Sequence, residues 1–317
     1  MYLVSNLEDF FVRTTCLAAM SVHKVLGLED AMLADKMAVD AIFDDFTNLP
    51  FDIRIIAGEG ERDKAPMLYL GQEFAHPAAD VQKQKFEEGG IMQLDVAIDP
   101  LECTTNAAFA KNGAMSVLAV GARGCMMALP DVYMQKIVTH INAQAYGIDL
   151  DNSIEQNISI LANVLMRTQG KERAEIKVVI LDRPRHSQII ERACACGVDV
   201  ILITDGDVEA SLLVAQGMYH MYIGSGGAVE GLLSAAAIKA IGGSFCGRLV
   251  GDGEYERKKY NIYDLVPGDV IFVSTAITDN ALMKGLTQDG DRMIINSLVL
   301  NTQNESIRRV QTALPII

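Results

Sequence analysis

Residues 176–241, IKVVILDRPRHSQIIERACACGVDVILITDGDVEASLLVAQGMYHMYIGSGGAVEGLLSAAAIKAI, alternate short apolar runs with helical segments. The pattern predicts, in order, the strand Ile176–Leu181, the helix Ser187–Cys196, the strand Val198–Ile203, the helix Val208–Gln216, the strand His220–Ile223 and the helix Ala228–Ile241. Strands alternating with helices favour an α/β fold with a parallel sheet covered on both faces. Ligands of such sheets bind outside the carboxyl ends of the strands, so we expect the loops Asp182–His186, Asp205–Asp207 and Gly224–Glu230 to line one mouth.

The first half of the chain, residues 1–149, predicts a mixed α+β arrangement. Two helices precede residue 50, and Asp30 is placed to cap the second one at its N-terminus. The apolar stripe expected on that helix is formed by Ala34, Met37, Ala38, Ala41 and Ile42. Short apolar runs then predict the strands Phe51–Ala57, Gln93–Asp99, Met115–Gly121, Cys125–Leu129 and Val132–His140. Without a linker or repeat, residues 1–149 and 150–317 are expected to pack as one unit.

Composition excludes several classes of protein. The chain has 317 residues, of which 50% are hydrophobic, and its net charge is −14. An acidic balance argues against a nucleic-acid partner, whose phosphates need cations, and against an anionic membrane surface. No membrane span or signal peptide is predicted, and six cysteines without a CxxC pair predict reduced thiols in a cytoplasmic protein.

Two acidic clusters follow predicted strands in the first half. Gly58–Asp63, GEGERD, places three carboxylates within five residues, which need either solvent or a cation. Asp95–Asn106, DVAIDPLECTTN, delivers Asp99 to a strand end, where Pro100 turns the chain towards Glu102. Carboxylate oxygens alone suit Mg²⁺ or Mn²⁺ rather than zinc. The alternatives are a solvated turn for the first cluster, and for the second an Asp-Pro turn with a helix cap at Thr104.

Two further groups lie in the second half. Gly224–Gly231, GSGGAVEG, leads into a helix, whose free N–H groups suit an anion, although Glu230 is also favoured there by the helix dipole alone. Arg183 and Arg185 follow one strand and are suited to grip phosphate. Asp205-Gly206-Asp207 follows the next strand, and it either holds sugar hydroxyls or simply turns the chain and caps a helix.

Together these segments resemble the class II, bacterial-type fructose-1,6-bisphosphatases, within the metal-dependent sugar and inositol phosphatases. The resemblance extends from about residue 10 to about residue 313. It is carried in order by the segments GEGERDKAPMLYLG, DVAIDPLECTTNAA, PDVYMQKIV, LDRPRH, TDGDVEASLL and IGSGGAVEGLLSAAAIKAIGG. The family versions of the first two segments are GEGE-x-DEAPMLYIG and DIAVDPIEGT, and this pair of motifs is highly specific.

The resemblance implies a layered αβαβα fold and hydrolysis of the 1-phosphate of fructose 1,6-bisphosphate in gluconeogenesis. It implies two Mn²⁺ or Mg²⁺ ions, a homo-oligomer, a metal-binding half (1–149) and a sugar-binding half (150–317). The implied metal ligands are Asp35, Glu59, Asp99, Glu102 and Glu230. The implied substrate contacts are Glu102, Cys103, Thr104, Tyr133, Arg183, Pro184, Arg185, Asp205, Gly206, Asp207 and Gly227. Asp63 and Thr104 are the residues implicated in catalysis, by activating or orienting the attacking water.

The sequence departs from the family pattern at four places. Cys103 replaces a glycine, Val229 a proline and Ala31 a lysine, and the chain is shorter between Val250 and Asp269. Cysteine in place of glycine implies either ordinary backbone geometry with a moved loop or backbone strain. Two alternatives to a fructose-1,6-bisphosphatase remain open. One is a sedoheptulose 1,7-bisphosphatase or an enzyme of dual specificity, and the other is a weakly active protein that binds sugar phosphates.

Overall fold

The computed structural model describes residues 2–58, 67–75, 91–251 and 258–316. Contacts between residues divide the chain into two units. Unit 1 consists of residues 1–131 and 266–317, and unit 2 consists of residues 132–265. The sequence placed a boundary near residue 149 and left the C-terminal segment in the second half. The structure instead returns that segment to unit 1, because its first strand pairs with a strand of the N-terminal half, residue 270 opposite residue 121.

Unit 1 is built on one sheet, and elements are numbered along the whole chain. Among the described residues its helices are α1 (Tyr2–His23), α2 (Ala31–Phe46) and α3 (Thr104–Ala108), and its strands are β1 (Asp52–Ala57), β2 (Glu73–Phe74), β3 (Gln93–Glu102), β4 (Met115–Ala122), β11 (Val270–Ala276), β12 (Thr287–Asp289), β13 (Arg292–Asn301) and β14 (Ser306–Pro315). The strand order is β12-β13-β11-β4-β3-β1-β2, and β14 also pairs with β13. Only β1 and β3 are parallel among these described pairs.

Helix α2 shows why the sequence forms this unit. The Asp30 carboxylate accepts a hydrogen bond from the Leu33 N–H at 2.9 Å, which confirms the predicted N-terminal cap. Ala34, Ala38 and Ile42 are fully buried, one helical turn apart, in the core that α1 and the sheet share. The stripe therefore fixes which face of α2 packs inwards, and α2 lies against β3 and α3.

One predicted strand of this half is absent. Residues 125–129 belong to no strand: the Cys125 N–H closes a turn on the Ala122 carbonyl at 2.9 Å, and a bend follows at residues 125 and 126. The Leu129 N–H then donates a single bond, of 2.9 Å, to the Ile56 carbonyl. The prediction of a strand at Cys125–Leu129 was wrong, since an apolar run that packs without a ladder partner looks the same in sequence.

Unit 2 is a second sheet with helices on both faces. Among the described residues its helices are α4 (Ala143–Tyr146), α5 (Ile154–Gln169), α6 (Ser187–Ala195), α7 (Asp207–Ala215), α8 (Ala228–Ile241) and α9 (Ile262–Leu265), and its strands are β5 (Tyr133–Thr139), β6 (Lys177–Leu181), β7 (Asp199–Ile203), β8 (Met221–Gly227), β9 (Ser244–Val250) and β10 (Tyr260–Asn261). The strand order is β10-β9-β5-β8-β6-β7. Buried side chains of α5 and α6 pack on one face, whereas α7 and α8 pack on the other.

The predicted parallel sheet is confirmed for the segment that predicted it. Strands β6, β7 and β8 are mutually parallel, and their carboxyl ends therefore lie at one edge of the sheet. The other strands are antiparallel, since β5 runs between β8 and β9 in the opposite direction and β10 pairs antiparallel with β9. The unit is a mixed rather than a purely parallel sheet. The α/β class is confirmed, and the five-layer order stays a prediction.

Candidate active site

Strand β3 ends in a backbone distortion that carries two acidic side chains of unit 1. Asp99 lies opposite Val117 on β4, and Glu102 lies opposite Met115, so β3 contains one more residue than its partner between these pairs. This is a β-bulge, and it includes Pro100, which has no N–H to give to a ladder. Asp99 and Glu102 are buried, with 1% and 4% of their surfaces exposed. The bulge thus places two carboxylates three residues apart at the end of a rigid strand.

The residue after Glu102 has a left-handed backbone. Cys103 has φ 64° and ψ 49°, a conformation that glycine adopts freely and other residues adopt at a cost. It occupies the N-cap position of α3, whereas the sequence placed a possible cap at Thr104. The Thr104 hydroxyl instead donates to the Leu101 carbonyl at 2.8 Å. Of the two possibilities left open for Cys103, the structure has the strained one.

Three further acidic residues of unit 1 belong to the predicted site, Asp35, Glu59 and Asp63, and the structure describes only the first of them. Asp35 is half-buried on α2, the helix that packs against β3 and α3. Glu59 and Asp63 lie outside the described residues, although Gly58 just before them is described. A Cβ on Gly58 would lie 2.2 Å from the Leu68 carbonyl oxygen, so the glycine at the start of GEGE is needed where two chain segments meet.

Asp95 shows what a purely structural acid looks like on the same strand. It is fully buried, and both carboxylate oxygens accept hydrogen bonds from Arg54, each at 2.9 Å. The Gly124 N–H donates a third bond at 2.7 Å. Asp95 is therefore balanced by an arginine and by the backbone, and it has no part in the candidate site.

In unit 2 hydrogen bonds join the loop that carries Arg183 and Arg185, here called the arginine loop, to the end of strand β8. The Arg185 guanidinium lies over the Tyr133 ring, 4.9 Å from its centroid, and its Nη2 donates to the Ser225 carbonyl at 2.8 Å. Nε of Arg185 donates to the same carbonyl at 3.2 Å. Arg185 is exposed, so its guanidinium is fixed in direction and still reaches solvent. Arg183 is half-buried in the same loop, and its Nη1 lies 3.5 Å from the Asp182 carbonyl.

His186 links the arginine loop to strands β6 and β8 through hydrogen bonds of its imidazole ring. Its Nδ1–H donates to the Leu181 carbonyl at 2.8 Å, and its Nε2 accepts from the Ser225 N–H at 2.8 Å. Burial lowers the pKa of His186, and the neighbouring Arg185 and Arg183 charges lower it further, which keeps the ring neutral. A Cβ on Gly224 would lie 3.1 Å from this imidazole. The close approach of the arginine loop to β8 therefore depends on a small residue at position 224.

Asp205 and Gly206 precede α7, which starts at Asp207. Burial raises the pKa of Asp205, and its Oδ1 accepts from the Gly206 N–H at 3.1 Å. Gly206 has φ 90°, so a glycine suits this turn. Asp207 is buried, with its Oδ2 bonded to the Lys136 ammonium and 3.4 Å from the Tyr222 hydroxyl. Sequence reasoning missed Lys136, and the signal that could have found it is a charged residue in the middle of the apolar strand VYMQKIV.

Glu230 lies in the first turn of α8, beside Asp207. Carboxylate oxygens of these two residues lie within 4.8 Å of one another. Gly227 is the residue before α8, and a Cβ there would lie 1.9 Å from Oε2 of Glu230. The glycine is thus needed for Glu230 to occupy its position. Of the three segments predicted to be loops at one mouth of unit 2, residues 182–186 and 205–207 follow the carboxyl ends of β6 and β7. Residues 224–227 are instead the last residues of β8, so the prediction of a loop there was wrong, although the end of β8 does lie at the same edge of the sheet.

The donor atoms present suit a hard divalent cation. Within unit 1, Asp35, Asp99 and Glu102 offer carboxylate oxygens, and none of the six cysteines or five histidines belongs to the predicted ligand set. Asp99 and Glu102 are buried, and their carboxylates are the hard oxygen donors that such a cation prefers. Unit 2 adds exposed and half-buried arginines, which suit a phosphate group. Oxygen donors for a divalent cation and guanidinium donors for a phosphate group are the two requirements of a metal-dependent phosphatase.

Comparison with known proteins identifies the family. The model of the family described as "Bacterial fructose-1,6-bisphosphatase, glpX-encoded" matches residues 5–314, and the chain belongs to this family of phosphoric monoester hydrolases. The class II resemblance inferred from the motifs is confirmed.

Curated relatives agree with the family. A protein of Trichodesmium erythraeum (strain IMS101) is 34% identical, with 93% of this chain and 92% of the relative covered. A protein of Synechocystis sp. has the same identity and coverage, and one of Acaryochloris marina is 35% identical over 93% of this chain and 91% of its own. Each is named a D-fructose 1,6-bisphosphatase class 2/sedoheptulose 1,7-bisphosphatase.

A solved structure, an extragenic suppressor from Pyrococcus furiosus, has 11% identity and a TM-score of 0.35, covering 68% of this chain and 73% of that one. Within the described parts of the chain, none of the helices combines the length and the apolar character that crossing a bilayer requires.

Proposed function

We propose that the protein removes the 1-phosphate of fructose 1,6-bisphosphate, giving fructose 6-phosphate and phosphate, as a step of gluconeogenesis. The family match over residues 5–314 is the observation that carries this proposal. It is supported by the two groups of residues just described, buried carboxylates at the end of β3 and fixed arginines at the carboxyl edge of unit 2. The first group suits the reacting phosphate with its metal, and the second suits the distal phosphate.

Asp35, Glu59, Asp99, Glu102 and Glu230 are the proposed ligands of two Mn²⁺ or Mg²⁺ ions. Bound divalent cations would offset the charge of the phosphate, lower the pKa of a water molecule and stabilise the leaving oxygen. The side chains contribute a donor set made only of oxygens, which matches the preference of these ions. The rigid end of β3 holds Asp99, whose Oδ1 also accepts from the Leu101 N–H at 3.0 Å.

Thr104 is proposed to orient the attacking water. Its hydroxyl proton is given to the Leu101 carbonyl, so its oxygen is left to accept a hydrogen bond, as the O–H of a water molecule requires. Asp63 is proposed as the general base, and it lies outside the described residues. Glu102, Cys103 and Thr104 are also the proposed contacts to the phosphate at the reacting end.

The residues of unit 2 are proposed to bind the sugar and the distal phosphate. Arg183 and Arg185, with Pro184 between them, offer guanidinium donors to the 6-phosphate. Tyr133, Asp205, Gly206, Asp207 and Gly227 are the proposed contacts to the sugar. The ammonium of Lys136 already balances Asp207, which favours a hydroxyl-accepting role over metal ligation for this carboxylate.

A second candidate substrate is sedoheptulose 1,7-bisphosphate. It is favoured by one specific observation, the double names of the relatives. The third possibility, a protein that binds sugar phosphates but hydrolyses them poorly, derives from the substitutions at Cys103, Val229 and Ala31. We also propose a cytoplasmic location and a homo-oligomer, both on the family resemblance, and light scattering of the purified protein tests the second.

Phosphate release separates these functions. The purified protein is assayed with fructose 1,6-bisphosphate and sedoheptulose 1,7-bisphosphate, each with Mn²⁺, with Mg²⁺ and with excess EDTA. Rapid release from the six-carbon substrate that EDTA abolishes is the expected result. Comparable kcat/KM values on both sugars would assign dual specificity. Binding without measurable turnover would instead support a protein that binds sugar phosphates and does not hydrolyse them.

A further inference from the structure

Lys136 is a buried cation in the centre of the unit 2 sheet. It lies on β5 between β8 and β9, opposite Gly224 on one side and Gly247 on the other, and it is fully buried. Its ammonium donates to Oδ2 of Asp207 and, at 3.0 Å, to the Gly227 carbonyl oxygen. The Asp207 carboxylate balances the charge of this buried lysine, and the ammonium is held between two acceptors at fixed places in the fold.

Small residues make room for this side chain. A Cβ on Gly226 would lie 2.9 Å from Nζ of Lys136 and 2.3 Å from Oδ2 of Asp207. On α8, a Cβ on Gly231 would lie 3.3 Å from Cδ of Lys136. Two glycines from different elements therefore shape one cradle around the lysine and its carboxylate partner, and no larger residue fits there without movement.

The two acceptors of Lys136 lie at the starts of two helices. Asp207 is the first residue of α7, and Gly227 is the residue before α8, which carries Glu230 in its first turn. Lys136 consequently connects a proposed sugar contact and the turn that holds a proposed metal ligand to one rigid strand. That strand begins with Tyr133, which supports Arg185. A single strand thus fixes several of the groups proposed to bind substrate.

We propose that Lys136 is a positioning residue, which holds the Asp207 carboxylate and the Gly227 carbonyl in the arrangement that binds the sugar. This inference rests on the proposed function of the same site. Oδ2 of Asp207 is held by the ammonium, and Oδ1 is the atom that accepts a sugar hydroxyl. Without the ammonium, the carboxylate turns or draws in water and its direction is lost.

The test is a double-mutant cycle with Lys136→Met, which removes the ammonium and keeps an unbranched side chain, and Asp207→Asn, which removes the charge and keeps the shape. We expect Lys136→Met to raise KM for fructose 1,6-bisphosphate by about tenfold or more, in the range of a charged hydrogen bond. In the Asp207→Asn background the same change should alter KM by less than about threefold, because Lys136 acts through Asp207. The matched control is Lys259→Met, which breaks the Lys259–Asp149 ion pair elsewhere in unit 2 and should leave KM unchanged.

The outcomes are distinguishable even where a variant folds poorly. If Lys136→Met does not fold, the double variant, which has no unpaired buried charge, is compared with Asp207→Asn alone. A further change of more than about threefold overturns the proposal, as does a folded Lys136→Met variant with the wild-type KM. An inactive wild-type protein would overturn the proposed function instead. The cycle would then be measured as the Kd of fructose 6-phosphate by calorimetry, which needs no turnover.

Discussion

The end of strand β3 in unit 1 and the carboxyl edge of the unit 2 sheet hold their polar groups in different ways. At β3 the backbone sets the positions of the carboxylates, through a bulge between Asp99 and Glu102 and the left-handed conformation of Cys103. At the unit 2 edge, side chains hold one another, as Arg185 is fixed by Tyr133 and Ser225 and Asp207 by Lys136. The difference teaches that the main chain sets the positions of the carboxylates at the end of β3, whereas the positions of the groups at the second edge also depend on the side chains next to them.

The largest effect is expected at the proposed metal ligands. Asp99→Asn, and likewise Glu59→Gln, removes a charged ligand while keeping the side-chain shape, so kcat should fall by several orders of magnitude with the fold retained. Asp95→Asn is the matched control on the same strand, and it should lower the melting temperature by loosening Arg54 while kcat stays near wild type. Steady-state kinetics and thermal melts measure both. Full activity in excess EDTA would contradict a metal-dependent reaction.

The arginines should affect affinity more than turnover. A charge-assisted hydrogen bond is worth about 1.5–3 kcal/mol, or roughly 10- to 150-fold in binding. Arg183→Ala or Arg185→Ala should therefore raise KM for fructose 1,6-bisphosphate by such a factor and change KM for fructose 1-phosphate far less. Arg192→Ala, which breaks an exposed ion pair with Glu155 in the same unit, is the control and should change neither. Equal losses on the two substrates would place the arginines away from the distal phosphate.

Sequence reasoning predicted the elements whose signals are local. The helix Ala228–Ile241 and the cap at Asp30 are confirmed, since apolar spacing and a capping carboxylate act within a few residues. Lys136 was missed, because its acceptors come from residues about 70 and 90 positions later along the chain. The prediction of a strand at Cys125–Leu129 was wrong for a related reason. An apolar run becomes a strand only where a neighbouring strand pairs with it, and the run itself does not encode that neighbour.

The candidate site was predicted in a similarly uneven way. The motifs supplied the residue types, and the resemblance supplied Asp35, which no local pattern distinguishes from a solvated helix residue. The structure adds the backbone that the motifs do not encode, above all the one-residue bulge before Glu102. It also separates Asp95 from Asp99, two acids four residues apart on one strand, by the arginine that binds the first.

The amino edge of the unit 2 sheet, opposite the arginine loop, should govern stability in mild acid. His220 is 3% exposed, and its Nδ1 accepts from the Lys177 N–H at 2.9 Å. Burial, together with the charges of Lys171, His140 and Lys177, lowers the pKa of His220 to about 4. The unfolded chain binds this proton near pH 6.5, so stability is complete above that pH and is lost as the pH falls towards 4.

The loss from His220 is limited to about 3 kcal/mol by the size of this pKa difference. Urea unfolding of the wild type and of His220→Gln between pH 7 and pH 4.5 measures it, and the wild type should lose more stability over that range than the variant. Other acids titrate equally in both proteins and cancel in the comparison. Parallel pH profiles would show that the folded protein accommodates a charged His220. Activity at pH 7 should be similar in both, which separates this edge from the binding edge.

The smallest effect is expected at Cys103, where backbone strain and the thiol can be separated. A left-handed backbone costs a residue with a Cβ roughly 1–2 kcal/mol more than glycine, partly offset by the greater freedom of glycine in the unfolded chain. Cys103→Ala keeps the Cβ and removes the thiol, whereas Cys103→Gly removes both. Cys103→Gly should therefore be more stable than Cys103→Ala by about 1 kcal/mol in urea unfolding, and its turnover should equal or exceed that of the wild type.

The same two variants test the chemistry of the thiol. Cys103 is only 4% exposed, so we expect slow inactivation by an alkylating agent, slower still with substrate bound, and no inactivation of either variant. Exposed Cys194 is present in all three proteins and serves as the internal control for reagent activity. If Cys103→Ala proves as stable as Cys103→Gly, the backbone relaxes and the strain is absent. A large fall in turnover in both variants would mean that the thiol itself contributes to the reaction, because the two share only its removal.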